Sequence, residues 1–421
     1  MNRLTAIISV LVALAISAGG CRKDNSPSGE ASTQPANEPA EQVVPLSPPP
    51  AGTEAIAPAR LAEAQRLING GVRYLLATRD ADGGWSIHGA LKPAITAMVL
   101  KALVQHPDFD AESEVVARGF DVLLSYQRTD GADAGAIYNP PEGLANYTTA
   151  VAVMALAAAD DPRHTAAMRR AVEFLKGQQI VAGSESPEGE AIDEAHPFYG
   201  GVSYDRHGRP DLSNVGMWAQ ALHDAGVSGE DPAFQRAAVF LTRTQNRSES
   251  NTLAWAAAGS NDGGFAYAPA LAGDLTAGES KAGPGPGETG LRSYGSMTYV
   301  GFKSLLYAEV GRDDPRVRAA WDWIRTYWSL DSNPNMPAVQ SLQGLYYYYH
   351  AFAKALRAWG QDVVTDAEGH EHNWRAELIQ TLAARVGDDG SWVNDADRWQ
   401  EGSPVLVTTY AVITLQETLK K

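Results

Sequence analysis

The stretch Tyr74-Leu75-Leu76-Ala77-Thr78-Arg79-Asp80-Ala81-Asp82-Gly83-Gly84-Trp85, followed by Thr96 and Leu103, contains the unit on which the fold turns. Its first part is an apolar pair in a stretch of helical period. Its middle is a Gly- and Asp-rich turn, in which glycine supplies the positive φ needed to end one helix and reverse the chain. Its last part is a hydroxyl residue with Leu seven positions on, a step that returns to nearly the same helix face. Each unit therefore predicts a helical hairpin.

The unit recurs. Its first element returns as Val122-Leu123 with Gln127, Phe174-Leu175 with Gln179, Phe240-Leu241 with Gln245, Trp323-Ile324, and around Leu382. Its second element returns as Thr149 and Leu156, Val215 and Leu222, Thr298 and Leu305, Tyr349 and Leu356, and Thr408 and Leu415. Turns such as Gly200-Gly201-Val202-Ser203-Tyr204, Asp262-Gly263-Gly264-Phe265 and Asp389-Gly390-Ser391-Trp392 lie between. The Asp-Gly pairs lack the spaced ligand set of a calcium loop and read as turns. The second elements are nearly free of charge, so they belong in an interior and the first elements outside them. A single hairpin leaves an apolar face open, so neighbours must stack. Spacing is uneven, with the extra length at residues 181–197 and 269–291, where long loops read as functional or disordered.

The Tyr74-Leu75…Gly83-Gly84-Trp85 unit resembles the Gln-Trp repeat of squalene-hopene cyclases, with Arg79 in place of the Gln. Phe174-Leu175…Gln179 and Phe240-Leu241…Gln245 resemble its first half. The resemblance to the terpenoid-cyclase and protein-prenyltransferase repeat family spans about residues 59–421. It implies an all-α fold, the α6/α6 toroid, with six hairpins closed into concentric inner and outer layers. In that family, class II cyclases carry an Asp-x-Asp-Asp acid motif, and the prenyltransferases bind zinc through Asp, Cys and His. The chain has no such tetrad, and its one cysteine, Cys21, lies outside the repeats. Neither family site can form, and thioester chemistry is excluded with them.

Residues 1–20 read as a signal segment: Arg3, then an apolar run from Ala6 to Ala18 too short for a comfortable span, then Ala18-Gly19-Gly20. Cys21 follows directly, which resembles a bacterial lipoprotein signal and implies lipidation at Cys21. Residues 21–58, rich in Pro, Ser and Glu, read as a disordered tether. The expected location is therefore outside the cytoplasm, on a membrane. A formal net charge of −16 over 421 residues repels phosphate backbones and argues against nucleic acid.

Several residues enter the inner helices near the expected central cavity. Tyr346, Tyr347, Tyr348 and Tyr349, at about 100° each, face every side of the fifth inner helix, with His350 after them. Aromatic walls suit an isoprenoid or a sugar ring, and equally suit core packing. Asp205 and His207 are a candidate acid–base pair, with Tyr204 beside them and Asp211 or Ser213 a candidate helix cap. Lys281, Arg292 and Tyr294, leading to Tyr299, suit an anionic group. Trp218 and Trp392 complete the candidate ligand contacts. His370-Glu371-His372 has metal-like residue types but sits in a polar turn, so no metal site and no cofactor is expected. The function these features imply is an exported terpene-cyclase-like toroid that binds an apolar polyisoprenoid-type ligand, with or without acting on it. A non-catalytic cell-surface binding or scaffold lipoprotein and a polysaccharide-active toroid remain open beside it.

Overall fold

A computed structural model describes residues 56–205, 208–270, 279–285 and 290–420. The expected signal segment, Cys21, most of the expected tether, Arg206 and His207 lie outside the described residues. Within them the chain runs α1 (Pro58–Ala77), α2 (Lys92–Val104), α3 (Glu114–Leu124), α4 (Ala145–Ala159), α5 (Thr165–Gly177), α6 (Leu212–Asp224), α7 (Pro232–Thr244), the short α8 (Ala254–Ala257), α9 (Gly295–Tyr307), α10 (Pro315–Thr326), α11 (Leu345–Trp359), α12 (Trp374–Ala383) and α13 (Pro404–Leu419).

Helices α2, α4, α6, α9, α11 and α13 form the inner layer. Each packs on the next, and α13 packs back on α2. The second elements of the repeat thus line a ring, as their apolar periodicity predicts. The outer layer is α1, α3, α5, α7, α10 and α12. The seam between the sixth hairpin and the first is hydrogen-bonded: Gln416 Nε2 donates to the Ala102 carbonyl at 2.8 Å, and Gln105 Nε2 to Gln416 Oε1 at 3.0 Å.

The recurring residues have mechanical roles. The Gln of the first element donates to its own turn and to the start of the next outer helix: Gln127 to Gly135 O and Ala167 O, Gln179 to Gly200 O and Ala233 O, Gln245 to Gly263 O and Arg316 O, all at 2.8–3.2 Å. The Thr of the second element accepts a turn N–H: Thr96 from Trp85, Thr149 from Ile137, Thr298 from Phe265 and Thr408 from Trp392, at 2.9–3.1 Å. These bonds satisfy buried backbone donors that would otherwise go unpaired. Trp85 and Trp392 each return their indole N–H to the preceding outer helix, at Leu75 O and Leu382 O. Gly200 and Gly263 sit at φ +82° and +80°, and a Cβ there would lie 1.9 Å from Arg236 O and 2.5 Å from Ala319 O. Only glycine allows both the left-handed turn and the close approach to the next hairpin.

The chain departs from the expected pattern in two places. Val363–Thr365 and Glu371–Asn373 pair antiparallel, so His370-Glu371-His372 is the turn and second strand of a small β-hairpin. His370 Nδ1 and His372 Nε2 both contact Asp366 Oδ2, at 3.0 and 3.2 Å, and His372 Nδ1 contacts Glu377 at 2.9 Å. Among the described residues no group of His, Cys, Asp and Glu is arranged to hold a metal ion. The inner helices also carry charge: Lys101, Lys303 and Lys354 are buried there, because each has a polar partner on another inner helix.

Candidate functional site

All six inner helices begin at the same end of the ring, because each follows its outer helix through one reversing turn. At that end lies a cavity lined by Tyr147, Tyr204, Tyr267, Tyr294, Tyr347 and Tyr410, together with Ser213, Ser296, Met297, Lys281, Gly344, Trp399 and Glu401. About 600 Å³ of space lies among and above these side chains, open to solvent on one side.

The tyrosines come from different hairpins. Tyr147 and Tyr347 stand on the first turns of α4 and α11, Tyr410 is on the second turn of α13, and Tyr294 is the N-cap of α9. Tyr204 and Tyr267 lie in turns, each docked by its carbonyl: Tyr204 O accepts from Asn146 N at 3.1 Å and Tyr267 O from Leu212 N at 2.8 Å. The rings of Tyr147 and Tyr204 stack at 5.9 Å. Ser213 Oγ and Tyr347 OH are 3.0 Å apart. Burial drives all six phenols well above their ordinary pKa, so they stay neutral.

Glu401 is the acid in this lining and is 1% exposed. It accepts from the backbone N–H of Tyr347 at 2.8 Å and of Tyr346 at 3.3 Å, and from Asn394 Nδ2 at 2.6 Å. It thereby caps α11, whose own N-cap, Gly344, has no side chain to do so. Burial still dominates these donors and pushes its carboxyl up to about 7. Asp211, the N-cap of α6, lies behind the wall. It accepts from Asn214 N at 2.9 Å and Asn214 Nδ2 at 2.8 Å, and burial raises it to about 6. Trp399, at φ +60° and 36% exposed, stands over Gly344 at the mouth with Arg398 stacked on its ring at 4.7 Å. Lys281 lies 4.4 Å over the Tyr267 ring and pairs with Glu279.

Of the residues singled out from the sequence, Tyr204, Lys281, Tyr294 and Tyr347 meet in this cavity. Seven others stand elsewhere. Trp218 donates to Leu175 O beneath α5, and Trp392 to Leu382 O in its turn. Tyr299 packs among Tyr348 and Phe352. Tyr346 and Tyr349 pack edge to face, with Tyr349 bonded to Leu330 O. His350 lies farther down α11, 5.6 Å from the Tyr410 ring. Arg292 bonds to Pro284 O in the fourth-hairpin loop. Asp205 is exposed beside Ser203, which donates to its carbonyl, and is not in the lining. Its proposed partner His207 lies outside the described residues.

The lining residues not anticipated include Tyr147, Tyr267, Tyr410, Trp399 and Glu401. A signal for some was present. Tyr147, Ser213, Ser296 and Tyr347 each lie two positions before the marker residue of their second element, at 149, 215, 298 and 349, and Tyr410 lies two after Thr408. These positions share the lumen face of the inner helices.

Residues 88–268 match the squalene-hopene cyclase C-terminal domain family. A variant of the type II terpene cyclase MstE from Scytonema, in complex with geranylgeranyl dihydroxybenzoate, superposes with a TM-score of 0.51 over 86% of this chain and 98% of that one, at 16% identity. The chain is a terpenoid-cyclase-like toroid. Apo MstE gives 0.48 over 85% and 98% at 16% identity, and a glycosidase variant with glucose gives 0.47 over 86% and 99% at 12%. No curated protein sequence matches the chain. Identities this low establish the toroid fold and leave its chemistry to the lining.

Proposed function

We propose that this toroid binds an apolar, polyisoprenoid-type ligand in the tyrosine cavity. The observation that carries the reading is a wall of six neutral phenols in which Glu401 and Lys281 are the ionisable groups besides the tyrosines themselves. Phenol faces offer large apolar contact and favourable quadrupoles to an unsaturated chain. In this reading Glu401, close to neutrality in its titration, is the group from which a proton would reach the ligand.

A polysaccharide reading has one specific support, the half-open Trp399 ring at the mouth, which is a platform for a sugar. Native mass spectrometry of the purified protein separates the two. A co-purifying lipid, together with saturable binding of a fluorescent isoprenoid alcohol weakened by Tyr410→Ala, supports the first. Absence of lipid with glycan-array binding would replace it by the second. We further propose that the chain is exported and anchored through lipidated Cys21. Cys21→Ser should move it from the membrane to the soluble fraction, and an unchanged distribution defeats the anchor.

A further inference from the structure

Below the tyrosine cavity the lumen changes character. Five positions beyond the marker residue of the second element, three inner helices carry lysine: Lys101, Lys303 and Lys354, each 3–4% exposed. The same position holds Gln220 on α6. Four positions farther, Asp224 and Glu417 supply carboxylates. The cations are not equally matched. Lys101 pairs with Asp224 at 2.7 Å, and Lys354 with Glu417 at 2.9 Å. Glu417 already carries Arg357 at 2.9 Å and Lys420 at 2.7 Å. Lys303 has no carboxylate within ion-pair distance among the described residues. Its hydrogen-bond partner is the neutral Gln220 Oε1 at 2.9 Å, which also takes the Tyr307 hydroxyl at 3.1 Å.

His350 stands one turn before Lys354 on α11, on the same face, and is 7% exposed. Its Nδ1 is buried with no hydrogen-bond partner. The helix ends do not answer the surplus charge either. The last carbonyls of α9 take the N–H groups of Ala308, Glu309 and Val310, and those of α13 take Arg375. A buried ammonium without a counter-charge costs several kcal/mol. Burial first, then the fields of Lys354 and Lys303, hold His350 well below its ordinary pKa, hence neutral.

We propose that the lower lumen is a binding site for a small monovalent inorganic anion of halide type, held by Lys303 with Lys354 and His350. Burial lowers Lys303 to about 7, so a negative charge bound beside it would restore its full charge. The site is separate from the tyrosine cavity and does not depend on what that cavity binds.

The test is thermal stability of the mature protein at constant ionic strength, exchanging chloride or bromide for gluconate. The site predicts a halide-dependent rise in Tm of about 2 °C or more, by the linkage of a bound ligand to folding. Lys303→Met should abolish the dependence and leave a protein at least as stable in gluconate. Anomalous diffraction from bromide-grown crystals of the unsubstituted protein should place a peak beside Lys303 Nζ, and this decides the matter even where the variant does not fold. A Tm that follows ionic strength alone, with no bromide peak, overturns the proposal and leaves Lys303 a neutral amine.

Discussion

Gln245 Nε2 lies 2.8 Å from the main-chain oxygen of Arg316, a residue of the next hairpin. The equivalent amides of Gln127 and Gln179 make the same link, but each also receives an arginine on its oxygen: Arg170 Nη2 at 2.7 Å and Arg236 Nε at 2.8 Å. Gln245 Oε1 is buried and unpaired, because Ala319 stands where those arginines stand. Ala319→Arg should therefore stabilise the ring by about 1 kcal/mol, the usual net worth of such a bond. Chemical denaturation of the two proteins reads the difference, and an unchanged midpoint with unchanged slope counts against the clamp.

Gly200→Ala should be strongly destabilising. An L-residue in the left-handed region costs about 1–2 kcal/mol before any contact is considered. Here the added Cβ would also meet the Arg236 carbonyl. The same substitution at Gly226, which has positive φ but open space around it, should cost only the conformational part. Comparing the two losses in denaturant separates strain from clash.

Glu401 makes stability depend on pH in a definite direction. Its folded value, about 7, lies above its ordinary 4.5. Through that window the folded state keeps a proton that the unfolded state has released. The stabilisation is complete below 4.5 and is lost as pH rises toward 7, by at most about 3 kcal/mol. Asp211, raised to about 6, adds loss in the same direction. Glu401→Gln should flatten the slope between those limits. If urea midpoints of the variant and the parent stay parallel from pH 4.5 to 7, the carboxyl is not held protonated.

Within the tyrosine wall, hydroxyl and ring have separable roles. Tyr347→Phe removes the partner of Ser213 Oγ but keeps the ring. Tyr410→Ala removes the ring itself. Binding of an isoprenoid alcohol should fall about tenfold or more for the second and by much less for the first, since ring contact carries the energy. Equal losses would point to a ligand recognised by hydrogen bonding.

The hairpin repeat was legible because its parts recur for mechanical reasons: Thr149 and Thr298 hold turns, and Gln179 clamps neighbours, whatever the ligand. The lumen was legible only in part. Lys101, Lys303 and Lys354 occupy one position of the second element, but each is a single cation in an apolar helix, and its partner lies more than 60 residues away. Glu401 and Trp399 sit in a loop without periodicity, and Trp399 adopts a backbone conformation that its residue type gives no reason to expect. The four tyrosines from 346 to 349 had the opposite difficulty. Their run covers every face of α11, so their identity alone cannot say which one reaches the cavity; the first-turn position of Tyr347 does.

The seam has a consequence for how the molecule can be opened. Gln105 and Gln416 stand 311 positions apart along the chain yet touch, so α2 and α13 are neighbours although one lies near the start of the chain and the other near its end. A chain cut at an exposed hairpin tip and rejoined across the seam would traverse the same circle from a new starting point. Such a permutant turns contacts of very large sequence separation, which are costly to form early in folding, into local ones.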